Sequence, residues 1–363
     1  MRHKLAPLAV LLLFLAAAPA ATAAPAPSSF AGMAPQGETT DSDFALMESS
    51  GVRSVRLPMY WPSIEPESPL VENPDFNGFD HEVRLAAEHG IRVFPFVWGS
   101  PEWVAPESVD QPVADPWQLR AWTSFLRTAV DRYGPDGVFW FEHPDLDYRP
   151  IRSWEIWNEE NIVTFSNTTA PSAYAKLLRD SGRVLHEVDP GSRVIIGGLF
   201  GRPLQVPPNI PSGDFLTRLY RVRNVKRFFD GVALHPYVAD AGAMRSQIEN
   251  LRRVMQIHHD ARTPLYMTEL GWGSDSFESR WERGLRGQAR ELNEAMSMLV
   301  AHRRAWRIGG VWWFSWVDLN NSCQFCDSAG LLTTDREAKP AWYRFNAWTG
   351  GDPGTVPRAS FGD

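Results

Sequence analysis

A closed (β/α)8 barrel, a single-domain α/β fold of the TIM-barrel class, is predicted by three features of this 363-residue chain. Eight short runs rich in β-branched and aromatic residues recur along it, and amphipathic stretches of helical period follow most of them. The length remaining after an N-terminal leader suits one such barrel. No Gly-x-Gly-x-x-Gly follows an early strand to suggest a doubly wound open sheet instead.

The leader comes first. Arg2, His3 and Lys4 precede an apolar run over 5–18, and Ala21-Thr22-Ala23 ahead of Ala24 matches the Ala-x-Ala cleavage pattern. Residues 1–23 are therefore expected to be a signal peptide and 24–363 the catalytic domain, secreted to the cell envelope or beyond. The apolar run is shorter than the roughly 20 residues a membrane span needs, and no later segment reaches that length.

Strands are predicted over 30–33, 54–57, 92–97, 153–157, 193–197, 231–234, 265–268 and 310–314. Helices are predicted over 43–50, 79–89, 117–133, 172–188, 215–223, 245–259 and 285–302, with Gly51, Gly90 and Gly134 as stops for the first three. Continuous apolar strands alternating with helices imply a parallel sheet covered on its outside. No linker interrupts the series, and the Pro-rich segment over 203–211 reads as a loop.

With 36 basic and 43 acidic residues the formal charge is −7, and no basic run is present. That balance argues against nucleic acid or an anionic membrane as partner and leaves a neutral sugar polymer compatible. The only cysteines, Cys323 and Cys326, lie in the polar stretch Asn-Ser-Cys-Gln-Phe-Cys-Asp. An exported chain meets an oxidising compartment, so a disulfide pinning this loop is the leading reading. A zinc site would need two further ligands, and a redox pair a helix start.

Two glutamates stand where strands give way to loops: Glu159 in Trp-Glu-Ile-Trp-Asn-Glu-Glu-Asn and Glu269 in Leu-Tyr-Met-Thr-Glu-Leu-Gly-Trp. They end the fourth and seventh predicted strands. All strands of the barrel run one way, so both reach the C-terminal rim where active sites of this fold are built. Two carboxyl groups at one point are what glycosidic cleavage needs, one to donate a proton and one to attack or to activate water. Glu155 shares strand parity with Glu159 and is expected one layer lower as the buried partner of a basic group. Glu160 reads as a loop carboxylate. Of the 16 tryptophans, Trp61, Trp98, Trp103, Trp272 and Trp316 are placed near rim loops, and Trp122, Trp306 and Trp342 as packing residues.

These strand ends resemble the clan A glycoside hydrolases, more narrowly families 5 and 39 and their secreted relatives. The resemblance implies that Asn158-Glu159 carries the acid/base, that Glu269 is the nucleophile, and that configuration is retained. It implies that Arg56 supports the nucleophile, that His235 and Tyr237 of His235-Pro236-Tyr237 end strand six beside the site, and that Trp316 lies under the sugar at the end of strand eight. Relatives often carry a histidine at the end of strand three; this chain has Val97-Trp98-Gly99, with Trp98 as the replacement.

For such a mechanism Glu159 must hold a proton when substrate arrives, so burial and its negative partner have to raise it above the usual carboxyl value of ~4.3. Glu269 must be ionised, Tyr237 can orient its attacking oxygen, and Asn158 can bond the sugar's 2-hydroxyl. Together these point to a secreted retaining O-glycoside hydrolase that cleaves a β-linked oligo- or polysaccharide as a monomer without cofactor or metal. Two alternatives share the cleft: a non-catalytic carbohydrate-binding barrel, and a transglycosylase of cell-wall or exopolysaccharide metabolism.

Overall fold

A computed structural model describes residues 26–275, 279–320, 323, 325–354 and 356–358; the leader expected over 1–23 lies outside them. Chain order is β1 (Ala31–Met33), α1 (Asp41–Ser49), β2 (Ser54–Tyr60), α2 (Trp61–Ile64), α3 (Asn77–Glu88), β3 (Arg92–Trp98), α4 (Pro116–Tyr133), α5 (Val138–Glu142), β4 (Ser153–Ile156) and α6 (Pro171–Val188). It continues with β5 (Arg193–Ile196), β6 (Leu199–Phe200), α7 (Ser212–Tyr220), β7 (Val232–His235), α8 (Ala241–Ile257), β8 (Leu265–Leu270), α9 (Gly284–His302), β9 (Ile308–Trp313) and α10 (Pro340–Thr349).

All ladders between these strands are parallel, in the order β5-β4-β3-β2-β1-β9-β8-β7-β6. Only Gly197 and Gly198 separate β5 from β6, so the two form one interrupted stave. A bridge between Ile195 and Gly231 joins that stave to the foot of β7 and closes a ring of eight. Each of the eight predicted strands is present.

The helices form because their apolar positions recur at helical spacing and their ends are capped. At the start of α1 the Thr40 side chain accepts from the Asp43 amide while Asp43 reaches back to the Thr40 amide. Such a cap is worth about 1 kcal/mol. Gly51 and Gly90 follow α1 and α3 at φ 79° and 68°, where a side chain would be strained. Gly134 ends α4 in extended backbone instead. The pattern did not reveal α10, an aromatic-rich helix that begins at Pro340 and buries Trp342, Phe345 and Trp348.

Inside the barrel, Phe94, Ile195, Ala233, Tyr266 and Trp312 form a separate apolar cluster. On four strands the residue two places later is Phe96, His235, Thr268 or Phe314. Side chains two apart share a face, so this cluster is the layer beneath the residues at the rim. The bore is thus plugged with apolar groups below and with polar side chains between Phe96 and Phe314 above.

Candidate active site

At the C-terminal rim Arg56 reaches inward from β2 and is buried to 2% exposure. A buried guanidinium must be paired, and here each nitrogen is. Nε donates to Glu155 Oε2 at 2.7 Å, Nη2 to Glu155 Oε1 at 3.2 Å and to Asn158 Oδ1 at 2.8 Å, and Nη1 to Glu269 Oε1 at 2.6 Å. Its face lies 3.9 Å from the centre of the Phe96 ring. Glu155 is thus the buried partner of a basic group, as strand parity predicts.

Glu269 is the second-last residue of β8, its side chain 13% exposed. Its other oxygen accepts from the Tyr237 hydroxyl at 2.6 Å. Around it the β8–β9 register slips: Met267 pairs with Val311 and Leu270 with Trp313, three steps against two. In a regular strand Thr268 and Glu269 would face opposite sides. The extra residue turns both into the barrel, as bulges beside active sites commonly do.

Glu159 follows β4 with φ 45°, and Trp157 before it has φ 73°. Positive φ is costly for side chains of this size, and such residues cluster where a site demands them. The turn brings Glu159 Oε1 to 2.7 Å from His235 Nδ1, the last residue of β7. Oxygen atoms of Glu159 and Glu269 and a ring nitrogen of His235 lie within 4.8 Å of one another. Among the described residues this is the one group placed to offer three ligand atoms to a metal. Its members are engaged otherwise: Glu159 and His235 sit at proton-sharing distance, and the Arg56 cation occupies one side of Glu269.

Burial, then the negative charge of Glu269, push the Glu159 carboxyl well above the usual range. Burial and the Arg56 cation hold the His235 imidazole well below its usual value, so it is neutral. Burial and the adjacent Glu269 charge push the Tyr237 hydroxyl up, which keeps its proton in place as a donor. One carboxyl is therefore kept protonated while its neighbour receives two donors, an arrangement suited to proton transfer to a leaving oxygen alongside nucleophilic attack.

The cleft above this group measures about 360 Å3, and Gln36, Glu82, Trp98, Asn158, Glu269 and Phe314 are among its lining residues. Trp98 packs on Tyr60 and Phe165 and forms part of the wall. Trp316 does not reach the cleft. It is 1% exposed, its Nε1 donates to Asp43 Oδ1 at 3.0 Å and its ring packs edge-on against Trp342. The chain turns outward after β9, so Phe314, two residues earlier, meets the cleft in its place. Trp61 and Trp272 are likewise fully buried, bonded to Glu65 and to the Val238 carbonyl, and Trp103 braces the Glu65 carbonyl.

Glu160 lies in the turn after β4, as read, but it is not solvated. It is fully buried beside Tyr174 and Gly197, and a Cβ on Gly197 would stand 2.2 Å from its Oε2. Burial drives this carboxyl well above the usual range, so it is neutral. The pattern also missed Gln36 and Glu82, which lie in the loop after β1 and on α3. Thr39 donates to Glu82 at 2.6 Å, and burial raises that carboxyl.

Cys323 and Cys326 are joined in a disulfide. Within that loop the Cys326 carbonyl accepts from Gln36, and Phe325 packs edge-on against Tyr237, so the loop roofs one side of the site. No helix among the described residues is long and apolar enough to cross a membrane.

No protein-family model matches the chain, and no curated protein is similar to it in sequence. Solved structures are similar in fold. A family 39 glycoside hydrolase from Bacteroides cellulosilyticus superposes with a TM-score of 0.63 at 19% identity, over 89% of this chain and 64% of that one. A monomeric β-xylosidase from Caulobacter crescentus gives 0.63 at 16%, over 90% and 69%. A family 5 subfamily 18 glycoside hydrolase from Bifidobacterium longum, in complex with Manβ1-4GlcNAc, gives 0.61 at 14%, over 88% and 74%. The chain spans about two thirds of the length of the first two. The resemblance to families 5 and 39 read from the strand ends is thus matched by structure, and the chain has the (β/α)8 barrel fold of those hydrolases.

Proposed function

We propose that the protein is a retaining O-glycoside hydrolase that cleaves a β-linked oligo- or polysaccharide by double displacement. Glu159 is the acid/base and Glu269 the nucleophile. The observation that carries this reading is the pairing of a buried Glu159 with a Glu269 whose two oxygens receive Arg56 and Tyr237, at an oxygen separation within 4.8 Å. Retaining enzymes hold their carboxyl groups about 5 to 5.5 Å apart, whereas inverting ones leave about 6.5 Å or more for a water. In the first step Glu269 attacks the anomeric carbon as Glu159 protonates the leaving oxygen. In the second, Glu159 takes a proton from water, which then displaces Glu269. Asn158, held by Arg56, bonds the 2-hydroxyl of the sugar, while Trp98 and Phe314 supply apolar walls for its faces. His235 acts on Glu159 and not on substrate.

Residues 1–23 direct export and are removed, leaving a single-domain, monomeric enzyme outside the cytoplasm. Secreted protein beginning at Ala24 is the expected result of N-terminal sequencing.

The activity is tested on aryl β-glycosides, with the xyloside first because the Caulobacter structure is described as a β-xylosidase, then on β-glucan, xylan and mannan. Glu159→Gln and Glu269→Gln should each lose most of kcat. Azide should rescue Glu159→Gly to a β-azide and Glu269→Gly to an α-azide. Wild-type turnover in Glu269→Gln ends the mechanism, and saturable sugar binding without turnover on any substrate favours a binding barrel.

A further inference from the structure

The hydrogen bonds around His235 run in one direction. Burial raises the Glu155 carboxyl, but Arg56 Nε and Nη2 donate to its two oxygens from 2.7 and 3.2 Å, and two guanidinium donors oppose that rise and favour a bare carboxylate there. Thr268 Oγ1 lies 3.1 Å from Glu155 Oε1. A carboxylate only accepts, so the single Thr268 hydroxyl proton points at Glu155. His235 Nε2 lies 3.0 Å from the same Oγ1, whose proton is now spent, so Nε2 must be the nitrogen that carries hydrogen. A neutral imidazole has one such nitrogen. Nδ1 is then a bare acceptor, and Glu159 Oε1, 2.7 Å away, has to be the donor.

We propose that Thr268 and Glu155 are positioning residues that fix the Nε2–H tautomer of His235 and through it keep the proton on Glu159. This rests on the acid/base role given to Glu159 above. The consequence for the reaction is specific. Once Glu159 has passed its proton to the leaving oxygen, its carboxylate faces the Nδ1 lone pair, and the repulsion drives it to take the proton back from the attacking water. Alternation from Tyr266 points Thr268 into the barrel, and the β8 bulge turns Glu269 to the same side, so the relay stands beside the nucleophile.

The groups facing Glu159 come from four strands and the loop that carries it: Arg56 on β2, Glu155 on β4, Glu160 beside it, His235 at the end of β7 with Tyr237 just beyond, and Glu269 on β8. Glu160 is neutral. The remaining charges are common to wild type and to variants at Thr268, so a change at Thr268 isolates the relay.

Thr268→Val keeps the shape and removes the hydroxyl, while Thr268→Ser keeps it. In Thr268→Val the Nδ1–H tautomer becomes accessible, and its proton favours the ionised form of Glu159. The basic limb of the kcat/KM profile should then move to lower pH by about one unit, a tenfold change in ionisation constant. Thr268→Ser should keep the wild-type limb. Nitrogen-15 NMR of ring-labelled histidine, assigned with His235→Asn, should show an Nε2–H ring in wild type and Thr268→Ser and a mixed or Nδ1–H ring in Thr268→Val. The NMR result needs no substrate, so an inactive protein would sink the proposed hydrolase while leaving the relay testable. An Nδ1–H ring in the wild type would overturn the relay even in an active hydrolase, as would equal basic limbs in Thr268→Val and wild type.

Discussion

Arg56→Met removes the cation from a pocket built around it while preserving length and most apolar contact. Two carboxylates lose their partner: Glu155, with no side-chain exposure, and Glu269, at 13%. Breaking a buried pair by deleting one member costs about 3–5 kcal/mol, because the survivor is left as an unpaired buried charge. Glu155 sets most of that cost, since solvent reaches Glu269. Burial already raises the Glu155 carboxyl and Arg56 opposes the rise, so the variant lifts it further. A folded-state value above the unfolded one of about 4.3 means that the protonated form is favoured below that pH and the advantage is lost as pH increases. The deficit of Arg56→Met against wild type should therefore widen between pH about 4 and about 7. Equilibrium urea unfolding at a series of pH values measures it, and Glu155→Gln added to Arg56→Met should recover part of the loss at neutral pH. A deficit below about 1 kcal/mol that does not vary with pH would mean that the pair behaves as an exposed ion pair, and would refute the reasoning.

Phe314→Ala should raise KM for aryl glycosides several-fold with little loss of stability, because Phe314 lines the cleft; Trp316→Leu should do the reverse, lowering the unfolding midpoint through the lost Asp43 bond and Trp342 contact while KM stays within about twofold. Asp43 provides a pH test. Burial would raise its carboxyl, but bonds from Arg336, Thr40 and Trp316 outweigh that and bring it down to about 2. A depressed carboxyl contributes stability above its unfolded value and loses it as pH falls, so wild type should lose about 2 kcal/mol relative to Asp43→Asn between pH about 4 and about 2, read from urea midpoints. Gly198→Ala places a Cβ 1.8 Å from His235 Nε2, and a fully buried ring has nowhere to retreat. Its kcat/KM should fall by at least about tenfold with the far-ultraviolet circular dichroism unchanged, and a wild-type value would mean that His235 can move without consequence.

Much of the fold was legible because buried parallel strands and amphipathic helices each write a period into the chain. The strand pattern gave the ring of eight staves, and identical strand polarity placed Glu159 and Glu269 on one rim. Where a residue's role depends on the period of two, the reading also held, as with Glu155 one layer below Glu159. It failed where the backbone leaves that period. The turn after β9 sends Trp316 into the core and Phe314 to the cleft, and the turn after Glu159 buries Glu160, a loop carboxylate whose burial no local pattern marks. Helix α10 was hidden because its aromatic residues cover more than one face and look like irregular packing. Gln36 and Glu82 carry no local signature, since their place in the cleft comes from a loop and a helix that the barrel brings alongside.

The sequence by itself therefore determined the stave count, the polarity of the strands and the meeting of Glu159 and Glu269 at one rim, all of which depend on local pattern and spacing. Only the tertiary structure decided which proton sits where. That assignment needs four partners from β2, β4, β7 and β8, at distances within 3.2 Å. Hydrogen bonds are directional and short-ranged, so no spacing along the chain encodes them.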